Sequence, residues 1–280
     1  MRQGLEERPD GSERAEPLVH RHRLSTRLWH WINAVAVTVM LMSGLMIFNA
    51  HPRLYWGNYG ANPDTPWLVI GDDGEKGFLR LGEVTIPTTG VLGVWKNGAG
   101  ELNYIAFPGW ATIPSTYDLA LSRHWHLTFA WLFALGLLAY LLWSLVNRHI
   151  GRDLLPRPGE LAPRHLWADV KRHATLRFPR GEGARHYNIL QKLAYLGVLS
   201  LALPGLVLSG ITLSPAMNAA WPWLLELFQG RQSARSIHFI CAAAVVLFVL
   251  VHLLMVVLVG PLNEIRAMIT GRYRLPKEDR

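Results

Sequence analysis

Two histidines stand inside one long apolar stretch near the carboxyl end of the chain, His238 and His252. An ionisable side chain is costly within a membrane-length apolar helix and usually marks a functional site. At 1.5 Å and 100° per residue, a separation of 14 residues corresponds to about 21 Å along a helix and leaves the side chains roughly 40° apart around it. The spacing therefore predicts two imidazoles that project from nearly the same helix face at two depths.

Both imidazoles have candidate partners in earlier apolar stretches. His30 stands at the start of the first stretch, and His124 and His126 stand at the start of the second. Because consecutive membrane spans run in opposite directions, His30 is expected at the depth of His252, and His126 or His124 at the depth of His238. We favour His126, since it lies deeper, and interpret His124 as interfacial. The sequence thus predicts two imidazole pairs stacked across a membrane.

Two facing imidazoles can serve as the axial ligands of a b-type haem, because the porphyrin supplies the other four nitrogens of the iron. Structural zinc would need four protein ligands, and only two or three histidines share each level. Iron with both axial positions filled does not readily bind a substrate, so electron transfer is the expected chemistry. The plainer alternative is that each histidine forms an interhelical hydrogen bond. Small residues are expected to let a flat macrocycle approach the helices: Ser43, Gly44, Gly136, Gly205 and Gly210.

Six further histidines occupy basic segments and are interpreted as solvated or lipid-facing: His20, His22, His149, His165, His173 and His186. The single cysteine, Cys241, can form neither an internal disulfide nor a cysteine-based metal site. We interpret it as core packing.

Four apolar stretches are long enough to cross a hydrocarbon core of about 30 Å, which needs about 20 helical residues. They cover residues 28–49, 124–147, 189–213 and 236–260, and Pro204 interrupts the third. Of the 280 residues, 50% are hydrophobic and only 17% are charged, which argues against an ordinary soluble domain. The net charge of +8 is concentrated in segments that flank the apolar stretches, which indicates orientation at a membrane rather than nucleic-acid binding.

Lys and Arg in the connecting segments predict the orientation of the spans. The tail to residue 27 holds six, the connection 148–188 holds nine and the tail from residue 261 holds five. The loop 50–123 holds five and the turn 214–235 holds two. Both termini are therefore predicted to be cytoplasmic.

These patterns predict an all-α integral membrane protein. A four-helix bundle would cover residues 28–260, between cytoplasmic tails 1–27 and 261–280, with one extracytoplasmic loop of about 70 residues at 50–123. Gly, Pro and aromatic residues in that loop favour an ordered irregular cap over a flexible linker. No internal repeat is evident beyond the shared pattern of histidine-bearing spans.

The sequence resembles the prokaryotic cytochrome b561 family over roughly residues 18–273. These proteins are di-haem cytochrome b subunits of nickel hydrogenases, formate dehydrogenases and molybdopterin oxidoreductases. The resemblance rests on His20-Arg21-His22-Arg23-Leu24-Ser25-Thr26-Arg27-Leu28-Trp29-His30-Trp31, on Arg123-His124-Trp125-His126 and on Arg231-Gln232-Ser233-Ala234-Arg235-Ser236-Ile237-His238-Phe239 with His252. It implies that His30 and His252 ligate an inner haem, and that His126 and His238 ligate an outer haem.

The resemblance implies two further assignments. The run Tyr187-Asn188-Ile189-Leu190-Gln191-Lys192 is similar to a segment of formate dehydrogenase cytochrome subunits whose Asn lies beside a quinone. Asn188 would then hydrogen-bond a quinone carbonyl, or it would only cap the third span. Leu190 replaces a glycine that contacts the quinone in those subunits. Arg231 and Arg235 would pair with haem propionates or anchor the fourth span at the interface.

The function implied by the resemblance is that of a membrane anchor and electron conduit in a bacterial inner membrane, not of an enzyme in its own right. Two haem b groups would carry electrons between the quinone pool and an extracytoplasmic oxidoreductase of the molybdopterin type. The alternative is a stand-alone superoxide:quinone oxidoreductase of the same family, for which basic residues around the outer haem would steer the anion. A proton-coupled transporter that uses histidines as a relay is a third hypothesis.

Overall fold

The computed structural model describes residues 18–61, 63–147, 151, 155–175 and 188–274. Most of the predicted N-terminal tail and the end of the C-terminal tail lie outside the described residues. So do His149, His186 and the side chain of His173.

Four helical segments are long and apolar enough to cross a membrane. They are α1 at Leu24–Asn49, α2 at Leu119–Val146, a third segment at Ile189–Leu213 and α8 at Arg231–Val259. The prediction of four spans is confirmed. Three of the helices begin four or five residues earlier than predicted, because apolar content locates the middle of a span while its first two turns contain polar residues. The side chain of Asp118, for example, caps α2 by accepting a hydrogen bond from the Leu121 N–H at 2.9 Å.

The third span is continuous but not uniformly α-helical. It consists of α4 at Ile189–Gly197, a π-helical turn at Val198–Ala202 and α5 at Leu203–Leu213. Pro204 has no N–H, and its ring would meet the carbonyl one turn earlier in a regular α-helix. The wider π turn directly before it relieves that clash.

The spans pack as two hairpins, α1 along α2 and α5 along α8. The 50–118 connection and the 214–230 turn lie at one end of the bundle, which we call the loop end. The first and last described strands lie at the other end, which we call the tail end.

Residues 50–118 form a small folded unit, the loop domain. Strands β2 to β5 make an antiparallel sheet in sequence order, and β6 and β7 form a separate hairpin. The prediction of an all-α chain with an irregular cap is therefore wrong for this segment, although the chain is mostly helical. Short strands with turn glycines between them carry little hydrophobic periodicity, which explains the error. The bounds are β2 Arg53–Leu54, β3 Leu68–Asp72, β4 Gly77–Leu81, β5 Val84–Pro87, β6 Trp95–Lys96 and β7 Leu102–Asn103, followed by a 3₁₀ turn at Gly109–Ala111.

The start of the loop domain is tied to the start of α8. The hydroxyl of Ser236 donates to the carbonyl of Tyr55 at 2.5 Å, and the Trp67 indole N–H donates to the same hydroxyl at 2.9 Å. The Gly57 N–H donates to the hydroxyl of Ser233 at 2.7 Å. Phe239 of α8 packs against the buried apolar core of the domain. These bonds fix residues 51–57 over the loop end of the bundle.

The tail end is closed by short elements from both ends of the chain. Strand β1 at Leu18–His20 pairs antiparallel with β8 at Arg272–Arg274. The other elements are a 3₁₀ turn at Pro158–Leu161, α3 at Pro163–Ala174 and α9 at Pro261–Thr270, while α6 at Pro215–Ala220 and α7 at Trp223–Leu227 lie in the turn at the loop end.

Candidate functional site

The structure brings together the two histidine pairs that spacing predicted. At the loop end, the ring centroids of His126 on α2 and His238 on α8 lie 6.2 Å apart with an interplanar angle of 62°. At the tail end, the centroids of His30 on α1 and His252 on α8 lie 6.3 Å apart with an angle of 57°. The two pairs lie at two depths of the bundle, because His238 and His252 are 14 residues apart on α8.

The spacing within each pair fits two imidazoles on opposite sides of one metal ion. On each side of the metal, a metal–nitrogen bond of about 2 Å and a distance of about 1.2 Å from nitrogen to ring centre give about 3.2 Å, so the two centroids would lie about 6.4 Å apart. A direct hydrogen bond between the rings would need a closer approach of the nitrogens. Among the described residues, no cluster of three or more His, Cys, Asp or Glu side chains could hold a metal ion. The donor set therefore suits haem iron better than zinc.

The loop-end imidazoles are oriented by matching hydrogen bonds. Nδ1 of His126 lies 3.0 Å from the carbonyl oxygen of Met40 and 3.2 Å from the hydroxyl of Ser43. Because a carbonyl oxygen only accepts, Nδ1 carries the proton and Nε2 keeps the lone pair that a metal needs. A hydrogen bond of this kind also raises the basicity of the ligating nitrogen.

His238 has the same environment on the other hairpin. Its Nδ1 lies 3.1 Å from the carbonyl oxygen of Leu206 and 3.0 Å from the hydroxyl of Ser209. A Cβ on Gly210 would lie 3.3 Å from the Cε1 of His238, as a Cβ on Gly44 would from the Cε1 of His126. Each imidazole thus rests on a Ser-Gly pair of the neighbouring span.

These contacts show a repeat that the sequence analysis missed. Ser43-Gly44 of the first span corresponds to Ser209-Gly210 of the third, and Met40 and Leu206 stand at equivalent positions before them. The second and fourth spans share an Arg-x-x-His motif at Arg123–His126 and Arg235–His238. The repeat is visible in the sequence when the apolar stretches are compared for short shared motifs, here Ser-Gly and Arg-x-x-His.

The tail-end pair does not follow the repeat. The residue that corresponds to His30 in the third span is Leu196, and the one that corresponds to His252 in the second span is Tyr140. Nδ1 of His30 is buried and has no hydrogen-bond partner in the described part of the chain. The rings are instead flanked by aromatic side chains: Trp31 is edge-on to His30 at 5.2 Å, and Phe248 stacks on His252 at 6.2 Å.

His124 turns away from the pairs. Its side chain is exposed, and its Nδ1 donates to the carbonyl of Ala120 one turn earlier at 2.9 Å. The imidazole that faces His238 is that of His126, which agrees with the preferred assignment.

The structure gives the predicted small residues close protein neighbours. A Cβ on Gly136 would collide with the Trp29 ring at 1.9 Å, and one on Gly205 would lie 2.7 Å from the sulfur of Cys241. Gly44 and Gly210 make room for the imidazoles themselves. Their role in admitting a macrocycle stays a prediction. Apolar spacing alone does not reveal which neighbour fills the gap.

The remaining predicted residues lie at the two ends of the bundle. Arg231 is exposed and donates to the Leu213 carbonyl at 2.8 Å, whereas Arg235 is partly buried over the ring of Phe48. Asn188 caps α4, since its side chain accepts from the Gln191 N–H at 2.9 Å while the Gln191 side chain accepts from the Asn188 N–H. The capping role is therefore observed, and the quinone role stays a prediction.

Comparison with known proteins agrees with this architecture. The sequence model of the family described as prokaryotic cytochrome b561 matches residues 21–271. A putative protein-methionine-sulfoxide reductase subunit YedZ1 of Azospira oryzae is 29% identical over 245 residues, which cover 88% of this chain and 93% of that protein. Probable Ni/Fe-hydrogenase B-type cytochrome subunits are 22% identical in Cupriavidus necator (98% and 94% covered) and 23% identical in Azotobacter vinelandii (97% and 95% covered).

Proposed function

Because this chain belongs to the prokaryotic cytochrome b561 family, we propose that it is the membrane-anchoring, di-haem cytochrome b subunit of an oxidoreductase complex. It would transfer electrons between the quinone pool and an extracytoplasmic partner enzyme. The observation that carries this proposal is the presence of two imidazole pairs, with centroids 6.2 and 6.3 Å apart, at two levels of one bundle.

In this proposal each residue of the two pairs has a defined task. His126 and His238 ligate the iron at the loop end, and His30 and His252 ligate the iron at the tail end. When bound, two haem b groups supply one-electron redox centres on both sides of the membrane. The helices keep the four Nε2 atoms at fixed positions, and the carbonyls of Met40 and Leu206 hold the Nδ1 protons at the loop end.

The orientation follows from the distribution of charge. The loop end would face the periplasm and the tail end the cytoplasm of a bacterium, because the segments at the tail end carry most Lys and Arg residues. The loop domain is the largest surface at its end and presents exposed aromatic side chains, among them Tyr59 at 82% and Trp110 at 78% exposure. Exposed aromatic residues of this kind favour a protein partner.

The exposed aromatic side chains argue for a protein partner over superoxide. Residues 50–118 contain seven acidic and four basic side chains, so the net charge of the loop domain itself does not attract a small anion. The relatives from Azospira, Cupriavidus and Azotobacter are named as subunits of a methionine-sulfoxide reductase or a hydrogenase, which supports an oxidoreductase partner here. A periplasmic molybdopterin enzyme is the partner type that we propose.

Quinone would react at the tail end, next to His30 and His252. Asn188 begins the third span at this end and is the proposed hydrogen-bonding residue. Its side-chain oxygen caps the helix, and in this proposal its NH2 group donates to a quinone carbonyl.

The proposal is tested by the pigment content of the purified membrane protein. We expect reduced b-type bands and two haems per chain in the pyridine haemochrome assay. His30→Ala, His126→Ala, His238→Ala and His252→Ala should each leave at most one haem. His124→Ala, whose side chain is exposed, is the matched control and should keep two. Full pigment in all four ligand variants would refute the proposal.

A further inference from the structure

A group of polar atoms without partners lies between the loop-end histidine pair and the loop domain. The Tyr55 side chain is only 2% exposed, and its hydroxyl has no hydrogen-bond partner among the described residues. Nε2 of His51 and Oε1 of Gln232 are likewise buried and have no partner in that part of the chain. Buried polar groups are nearly always hydrogen-bonded, so these atoms call for an explanation, and a bound polar group supplies one.

A guanidinium group lies at the same place. Arg235 precedes His238 by three residues, which puts it about 4.5 Å nearer the loop end on a neighbouring part of the helix face. Its guanidinium is 5.4 Å from the centre of the Phe48 ring and donates to the carbonyl of His51. None of the ion pairs among the described residues involves Arg235. A partly buried cation without a carboxylate calls for an anionic ligand.

His51, Tyr55 and Arg235 belong to one cluster. The rings of His51 and Tyr55 are stacked, with centroids 5.7 Å apart and an interplanar angle of 18°. Burial, followed by the charge of Arg235, lowers the pKa of His51, which places the guanidinium within electrostatic reach of the imidazole. The sequence analysis assigned no role to His51 or Tyr55, because neither belongs to a membrane span.

The chain closes over this cluster at a glycine. A Cβ on Gly60 would lie 2.7 Å from the Tyr55 ring and 2.8 Å from the side-chain amide carbon of Gln232. The hydrogen bond from Ser236 to the Tyr55 carbonyl holds the segment in place. The cluster is thus built by the loop domain and α8 together.

We propose that Arg235, His51 and Tyr55 bind the propionate carboxylates of the haem at the loop end. This inference rests on the proposed function. A guanidinium matches the geometry of a carboxylate and forms strong charge-assisted bonds with it. The Tyr55 hydroxyl and the His51 imidazole are further donors. The loop domain is then part of the cofactor site as well as a docking surface. Arg231 is exposed and donates to the Leu213 carbonyl, so it is not part of this cluster.

The experiment compares Tyr55→Phe, His51→Leu and Arg235→Leu with two controls in the full-length, haem-loaded protein. The controls are Tyr59→Phe, whose ring is 82% exposed, and Arg231→Leu. The readouts are the propionate bending band in the resonance Raman spectrum and the rate at which the loop-end haem is lost to an excess of apomyoglobin.

We expect the propionate band to shift in all three cluster variants and in neither control. Haem loss from the loop end should become about tenfold faster in Arg235→Leu, the low end of the effects known for groups that support a metal site, and Arg235→Lys should restore part of it. Tyr55→Phe removes a single hydroxyl and preserves the fold, so it tests the inference even if Arg235→Leu fails to fold.

The outcomes separate this inference from the proposed function. A parent protein without haem would refute both. Two haems in the parent with an unmoved propionate band in Tyr55→Phe and His51→Leu would overturn the propionate site alone. If the cluster binds a free anion instead, the substitutions would leave the propionate band unmoved. The resonance Raman spectrum would then respond to added formate or phosphate.

Discussion

The two histidine pairs have almost the same ring spacing but very different surroundings. At the loop end both Nδ1 atoms donate to main-chain carbonyls, and a serine and a glycine of the adjacent span support each ring. At the tail end Nδ1 of His30 has no partner among the described residues, and aromatic rings flank the pair. The loop-end imidazoles are therefore held by hydrogen bonds and the tail-end imidazoles by packing.

The difference follows from the repeat of the two hairpins. Equivalent helices supply His126 and His238, so the same set of hydrogen bonds supports both imidazoles. His30 and His252 occupy positions whose counterparts are Leu196 and Tyr140. Nδ1 of His30 therefore lacks, within the described part of the chain, the hydrogen bond that orients each loop-end imidazole.

The largest effect is expected when a side chain is added at the loop end. Gly210→Leu would drive a branched side chain into the His238 ring, because a Cβ already lies 3.3 Å from it. Haem content should fall from two to one per chain, with the tail-end signal retained. Gly197→Leu, where a Cβ meets nothing within 4 Å, is the matched control. Equal loss in both variants would contradict the role of the Ser-Gly support.

A smaller effect is expected from the serine hydroxyls. In Ser43→Ala or Ser209→Ala each Nδ1 keeps its carbonyl partner, so haem should bind less than about tenfold more weakly. The loop-end midpoint potential should rise, since a weaker hydrogen bond makes the imidazole a poorer electron donor. Redox titration should show similar changes in both variants and none at the tail end. Ser122→Ala, which removes another buried hydroxyl of α2, serves as the control.

Asn188 permits a test that separates capping from quinone binding at the tail end. Asn188→Ala removes the N-cap and should destabilise the protein by about 1 kcal/mol, as measured by thermal unfolding in detergent. Asn188→Ser keeps a capping oxygen but lacks the amide. If it preserves both stability and quinol-dependent haem reduction, Asn188 acts only as a cap.

The smallest effect concerns an ion pair between the third span and the segment before α3. The Lys192 ammonium, followed by the Arg157 N–H, holds the pKa of Glu160 below its ordinary value. A carboxylate whose pKa is lowered in the folded protein stabilises the fold above its ordinary pKa. This contribution is lost as the pH falls through the lower pKa of the folded state. Glu160→Gln should cost less than about 0.5 kcal/mol at neutral pH, because the pair is solvent-screened.

The difference in the free energy of unfolding between the parent and Glu160→Gln should vanish in acid and in high salt. Unfolding of the parent and of Glu160→Gln, measured at pH 7 and again well below pH 4.5, checks the sign. A destabilisation by Glu160→Gln that grows towards acid pH would contradict a stabilising ion pair between Glu160 and Lys192. At neutral pH the folded parent and Glu160→Gln should have the same haem content at the loop end.

The sequence by itself determined the membrane class, the four spans and the levels of His30, His126, His238 and His252. The reason is physical: helical rise is constant, so a spacing of 14 residues and the order of the spans fix depth without knowledge of any contact. Charge at the ends of the spans likewise predicted an orientation before any coordinates were known.

Only the tertiary structure decided which groups surround each imidazole. The carbonyls of Met40 and Leu206 and the hydroxyls of Ser43 and Ser209 reach the rings from other helices, and no local pattern predicts such distant contacts. The sheet of the loop domain and the cluster around His51 and Tyr55 depend in the same way on residues far apart in the chain. Burial and partners are properties of the packed bundle, whereas depth is a property of the single helix.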